Sequence, residues 1–111
     1  MAKNLSYDST TIVTIANGAT VSSPITFDRQ RIPLALVTPA ALTGTTFTFQ
    51  VSADNTTFCP LYYEGTAYSI TVSTSRHIAL DRRAFEGVRN LKIVSGSAEV
   101  ASRNIGVVSG E

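Results

Sequence analysis

Residues able to do chemistry are few in this chain and thinly spread. It holds one histidine, His77, and one cysteine, Cys59. Zinc needs three or four converging ligands, and no His or Cys cluster stands near His77, which reads as a surface or interface histidine. A Ser-His-acid triad would need a serine and an acid beside it, and no nucleophile-elbow glycine pattern surrounds any serine. The eight acidic residues, Asp8, Asp28, Asp54, Glu64, Asp81, Glu86, Glu99 and Glu111, are scattered, with no spacing that suggests a glycosidase pair. Asp54, within Ser52-Ala53-Asp54-Asn55-Thr56-Thr57, could offer calcium one carboxylate. A single carboxylate is a weak site for a hard cation, and an Asx turn is the simpler reading. No catalytic, metal or cofactor residue is expected, and the chain reads as a non-enzyme.

The remaining groups suit contact. Arg76, Arg82, Arg83, Arg89 and Lys92 form the densest charge feature, interleaved with Asp81 and Glu86. They either grip a carboxylate-rich protein surface in fork geometry or make an ordinary solvated face. Tyr62 and Tyr63 must point opposite ways within a strand, so one is core and the other is a surface ring, fit for an interface or a sugar platform. Cys59 has no partner for an intramolecular disulfide and reads as a small hydrophobe packed beside Phe58.

Composition narrows the class. A net charge of +1 with 15% charged residues is too small and too balanced to grip nucleic acid or an anionic membrane. The first six residues lack an apolar h-region, and no run approaches the ~20 apolar residues that span a bilayer. A soluble product made in the cytoplasm is expected. One domain of this size can bury a core without staples.

What must position these groups is a set of strands. Thr46-Phe47-Thr48-Phe49-Gln50-Val51-Ser52, Tyr68 to Ser73, Arg76 to Leu80 and Asn90-Leu91-Lys92-Ile93 alternate apolar with polar, the period of half-buried strands. Thr11 to Ile15 is a first strand, and Asn17-Gly18 predicts a tight hairpin into Ala19 to Val21. Ile25 to Phe27 is a short extended piece, and Asp28 to Arg31 is polar and exposed. Ile32 to Val37 is apolar on nearly every residue, as in a strand buried on both sides, with Pro33 at its start or edge. Turns are expected at the Asp54-Asn55 tip and at Glu64-Gly65, one helical turn between Asp81 and Gly87, and a last strand at Ile105 to Val108. About eight short strands predict an all-β antiparallel sandwich, a jelly roll, over residues 10–111. Residues 1–9, with Leu5 and Tyr7 as their only anchors, are expected to form a flexible arm.

The run Gly44 to Tyr62, with Tyr68 to Val72 and Phe85 to Gly96, resembles small β-sandwich proteins encoded among the structural genes of tailed bacteriophages, over about residues 34 to 108. The Phe49-to-Phe58 hairpin followed by Val88 to Ile93 also looks like the core of galactose-binding-like jelly rolls of the discoidin type, without their recognisable ligand loops. The phage resemblance implies a capsid decoration or cement protein in the virion, bound to the major capsid protein and often a homotrimer. A tail or neck component, or a carbohydrate-binding module using Tyr62 or Tyr63 and Asp54, is the alternative. The expected interface residues are Leu5, Tyr7, Tyr63, Arg76, His77, Arg82 and Arg83.

Overall fold

The computed structural model describes residues 9–27 and 31–110. The expected arm, with Leu5 and Tyr7, and the segment Asp28-Arg29-Gln30 lie outside the described residues. The chain is all-β, with two antiparallel sheets packed face to face. One sheet orders its strands β1 (Ser9–Ile15), β11 (Arg103–Gly110), β3 (Ile32–Val37) and β9 (His77–Ala79). The other orders β2 (Ile25–Thr26), β10 (Asn90–Ser95), β4 (Thr46–Ser52) and β5 (Cys59–Pro60), with β8 (Ser69–Thr71) also paired to β4. A small hairpin, β6 (Tyr62–Tyr63) and β7 (Thr66–Ala67), stands apart.

Alternation decides which side chains meet between the sheets. Val13 and Ile15 of β1, Leu36 of β3, and Ile105 and Val107 of β11 face Phe47 and Phe49 of β4 and Leu91 and Ile93 of β10, all buried. Phe85 completes the core, edge-on to Phe49 at 5.2 Å and to Tyr68 at 5.4 Å between ring centroids. Such pairs add specificity to the area they bury. Phe85 reaches this position from a 3-10 turn, Arg82–Phe85, whose cap Asp81 accepts from the Arg83 amide, and Gly87 follows at φ 85°.

Three expectations change. β1 begins at Ser9, paired with Ser109, so Ser9 belongs to the sheet rather than to an arm. Asn17-Gly18 does turn, but Ala19 to Val21 is not a strand. Val21 makes an isolated bridge to Val94 of one sheet, and Ser22 just after it one to Ile15 of the other. The chain is crossing between sheets here, so it cannot keep one partner. β3 is interior to its sheet, yet it is not buried on both sides: Leu36 faces the core while Val37 is 39% exposed. Pro33 sits second in the strand, opposite Ser109 where the register shifts, and a bulge tolerates a residue that cannot donate.

Both expected hairpin tips form. Asn55 at φ 60° follows Asp54, and Glu64 and Gly65 at φ 55° and 82° close the β6–β7 pair, as a two-residue turn requires.

Candidate interaction surface

The two sheets present different outer faces. Because Val13, Leu36, Ile105 and Val107 point inward, their neighbours along each strand point out. Two adjoining rows run across the first sheet, Thr10-Val108-Ala35-Ala79 and Ile12-Gly106-Val37-His77. A third, Thr14-Asn104, is closed by a 2.8 Å bond from the Thr14 hydroxyl to Asn104 Oδ1. None of these positions is Asp, Glu, Lys or Arg. Ile12 is 57% exposed. At Gly106 a Cβ would meet Thr10 Cγ2 at 3.2 Å and Val37 Cβ at 3.4 Å, so neighbouring side chains crowd the glycine.

The outer face of the second sheet is polar. Register places Thr46, Thr48, Gln50, Lys92, Val94, Ser69 and Thr71 on it. Lys92 lies over the Phe58 ring, 4.2 Å from its centroid, a cation–π contact of modest worth at an exposed site.

The expected interface residues scatter. His77 ends the aliphatic row and is exposed, with Arg76 beside it at the sheet edge, its Nη1 donating to the Thr74 carbonyl at 3.2 Å. Arg82 and Arg83 lie beyond the other end of β9, both exposed. Arg83 meets Asp81 at 3.5 Å, which raises its pKa. That pair adjoins Tyr63, whose hydroxyl pKa is raised by burial foremost and by Asp81. Of the two tyrosines, Tyr63 is the half-buried one, packed on the core, and Tyr62 is 62% exposed. Arg89 immediately precedes β10 and Lys92 lies within it. These five basic residues therefore flank β9 and β10, strands of different sheets, with only Lys92 inside a strand. Cys59 is a correction too: it is exposed on the edge strand β5, beyond the reach of the core, rather than packed as a small hydrophobe.

Asp54 makes the Asx turn: Oδ1 accepts from the amides of Thr56 and Thr57 at 2.9 and 3.0 Å and from Ser52 Oγ at 2.8 Å. The amide of Thr57 above all, then Thr56 and Ser52, hold its pKa at about 2. Oδ1 is spent on its own turn. Among the described residues no group of three or more His, Cys, Asp or Glu is placed to hold a metal ion. A depression of about 280 Å³ opens between Val51, Leu61 and Val88, with Glu86 its one charged wall; a single carboxylate there supplies no acid–base pair.

Sequence reasoning missed Glu99. Its buried carboxylate accepts from the amides of Thr43 and Gly44 at 2.8 and 2.9 Å, from Ser95 Oγ at 2.8 Å and from Arg103 Nε at 2.9 Å. Burial alone would raise its pKa, but these donors together hold it down at about 2. Its backbone also bonds the first turn, accepting from the Gly18 amide and donating to Ala19 O. No pattern around Ser97-Ala98-Glu99-Val100 signals this, since the segment is not periodic. Every acceptor site of Glu99 is taken, which makes it a structural clamp rather than a binding group.

No family model, curated protein or solved structure matches this chain. No helix among the described residues is long and apolar enough to cross a membrane.

Proposed function

We propose that this protein works by contact rather than turnover, as a virion structural protein of a tailed bacteriophage that decorates and cements the major capsid protein shell. The strand orders β1-β11-β3-β9 and β2-β10-β4-β5, with the chain passing repeatedly between the sheets, are read here as a jelly roll. One observation carries the functional reading: the outer face of the first sheet sets exposed Ile12 and Val37 among Thr10, Thr14, Asn104 and His77 without a formal charge, while that of the second is threonine-rich with Lys92. Exposed apolar faces of this kind on soluble proteins mark interaction sites. A subunit laid across neighbouring shell proteins adds buried area where internal pressure pulls them apart, and contacts of this type bury more than ~1,000 Å². The phage context comes from the sequence resemblance.

Co-sedimentation with phage heads, before and after expansion, tests the proposal. Saturable binding to expanded heads, lost in an Ile12→Lys variant, is the expected result. Binding to isolated tails instead would move the protein to the tail or neck, and binding to neither would overturn the reading.

A carbohydrate-binding reading is favoured by one observation, the exposed Tyr62 ring on the β6–β7 hairpin. Calorimetric binding of a glycan, abolished by Tyr62→Ala and untouched by Ile12→Lys, would establish it in place of shell binding.

A further inference from the structure

We infer that the open corner of the sandwich between β1 and β2 is a binding site for a small tetrahedral oxyanion of the phosphate or sulfate class, held by Arg31 with the hydroxyls of Ser9, Thr11 and Ser109. The site opens on the inner side of the first sheet. It is separate from the outer face proposed for shell contact and stands whether or not that reading does.

Periodicity carries the first step. In β1 the inward row runs Ser9, Thr11, Val13, Ile15, and in β11 it runs Ile105, Val107, Ser109. Both rows are aliphatic and buried in the middle of the sandwich and turn to hydroxyls at the end where Ser9 pairs with Ser109. Facing that end the second sheet offers only β2, two residues long. A cavity of about 170 Å³ is left there, with Ser9, Thr11, Ser109 and Arg31 on one side and Ile25, Thr26 and Phe27 on the other. Hydroxyls on a core-facing row give up the burial energy that their aliphatic neighbours gain, and such departures from pattern gather at functional positions.

Charge carries the second. Arg31 is half-buried, and its Nη1 donates to Ser9 Oγ at 3.3 Å and to the Ser109 carbonyl at 3.2 Å. Both acceptors are uncharged, and among the described residues no carboxylate lines the cavity. Arg103 shows the contrast, since the Glu99 carboxylate meets its guanidinium. A guanidinium carries five donors in a rigid fork, and two contacts do not exhaust them. Ser109 is 4% exposed, and its hydroxyl lies 3.4 Å from Ser9 Oγ, long for a bond between hydroxyls. An oxyanion between them replaces that weak contact with charge-assisted bonds. Thr26 already donates to Asn90 Oδ1 at 2.7 Å, so the hydroxyl donors are those of Ser9, Thr11 and Ser109.

Size chooses the ligand. A water's share of volume is roughly 30 Å³, so the cavity holds about five or six water-sized groups. That suits one tetrahedral oxyanion and excludes a nucleotide or a sugar. The donors come from β1, from β11 and from the residue leading into β3. Four oxygens can meet all three at once, where a carboxylate offers two.

Amide NMR of the full chain in chloride buffer, titrated with inorganic phosphate at constant ionic strength, tests the inference. Saturable shifts centred on Ser9, Thr11, Arg31 and Ser109 are expected, with sulfate competing and acetate far weaker. Arg31→Gln should abolish saturation, and Arg31→Lys should retain it in weakened form, because lysine keeps the charge and loses the fork. Thr11→Val, a residue at home in strands, should weaken binding about fivefold, roughly the worth of one net hydrogen bond. It keeps the test decisive if an Arg31 variant misfolds. Lys92→Ala, on the other sheet, should bind as the parent does. Shifts that never saturate, or that persist in Arg31→Gln, mean an adventitious ion only and overturn the inference. Acetate binding as tightly as phosphate overturns it too.

Discussion

Arg103 Nε donates to Glu99 Oε1 at 2.9 Å, four residues away in the chain, with the Glu99 side chain fully buried and that of Arg103 only 12% exposed. This ion pair differs in kind from Arg83–Asp81, where the arginine is 73% exposed and worth little to stability. Glu99 ties three otherwise separate pieces, the 17–19 turn, the Thr43-Gly44 loop and the end of β10, to the start of β11.

Replacing Glu99 by Ala should cost roughly 3 kcal/mol, because it strands Arg103 and two amides that the carboxylate satisfies. Urea unfolding should show a lower midpoint at unchanged slope. A change within experimental error would mean the clamp is dispensable.

Glu99 is held at about 2 against an ordinary 4.5, and Asp54 at about 2 against 3.8. A carboxylate depressed in the folded state leaves the unfolded chain binding more protons in that window, so stability rises with pH there. The contribution is complete above about 4.5 and is lost as pH falls toward about 2. The urea midpoint should be flat above that window and fall within it, and Glu99→Gln should flatten the fall. Identical pH slopes in parent and variant would show that other groups govern acid unfolding.

Gly44 has no room for a side chain: a Cβ would collide with Ser95 Oγ and lie 3.3 Å from Glu99 Oε2. Gly44→Ala should destabilise by about 2 kcal/mol through overpacking. The penalty should shrink in a Ser95→Ala background, a coupling a double-mutant cycle reads directly. Additive costs would place the strain elsewhere.

Phe85 and Tyr62 are both aromatic and should behave in opposite ways. Phe85→Ala removes a fully buried ring with two edge-on partners and should cost about 4 kcal/mol. Tyr62→Ala should stay within about 0.5 kcal/mol of the parent. Thermal unfolding of the two variants, compared side by side, checks the contrast.

Cys59 should react with a thiol reagent in the native protein, one equivalent per chain, since it is exposed on an edge strand. Cys59→Ser should leave stability unchanged. A thiol that reacts only in denaturant would restore the packing role its neighbour Phe58 suggested.

Much of the fold was legible because its cause is local. In β4 and β10, alternation marked Phe47, Phe49, Leu91 and Ile93 as one face and Lys92 as the other, and burial follows that division. Turn chemistry was equally readable, since Glu64, Gly65, Asn55 and Gly87 adopt positive φ where the sequence marked turns. Strand ends were less so: β1 runs on to Ser9 because Ser109 is there to pair with it, and Ala19 to Val21 fails as a strand because no single partner runs beside it.

The sequence by itself determined the periodicity, and with it most of the sheet-forming segments, the turns and the inward or outward sense of the residues in β4 and β10. Only the tertiary structure decided which outward residues become neighbours, because β1, β11, β3 and β9 are far apart in the chain and their pairing is a property of the assembled sheet. Ile12, Gly106, Val37 and His77 share no local pattern, yet register sets them in one row. The burial of Glu99 was likewise a tertiary decision, since its four donors come from three separate segments and become available only when the sheets close.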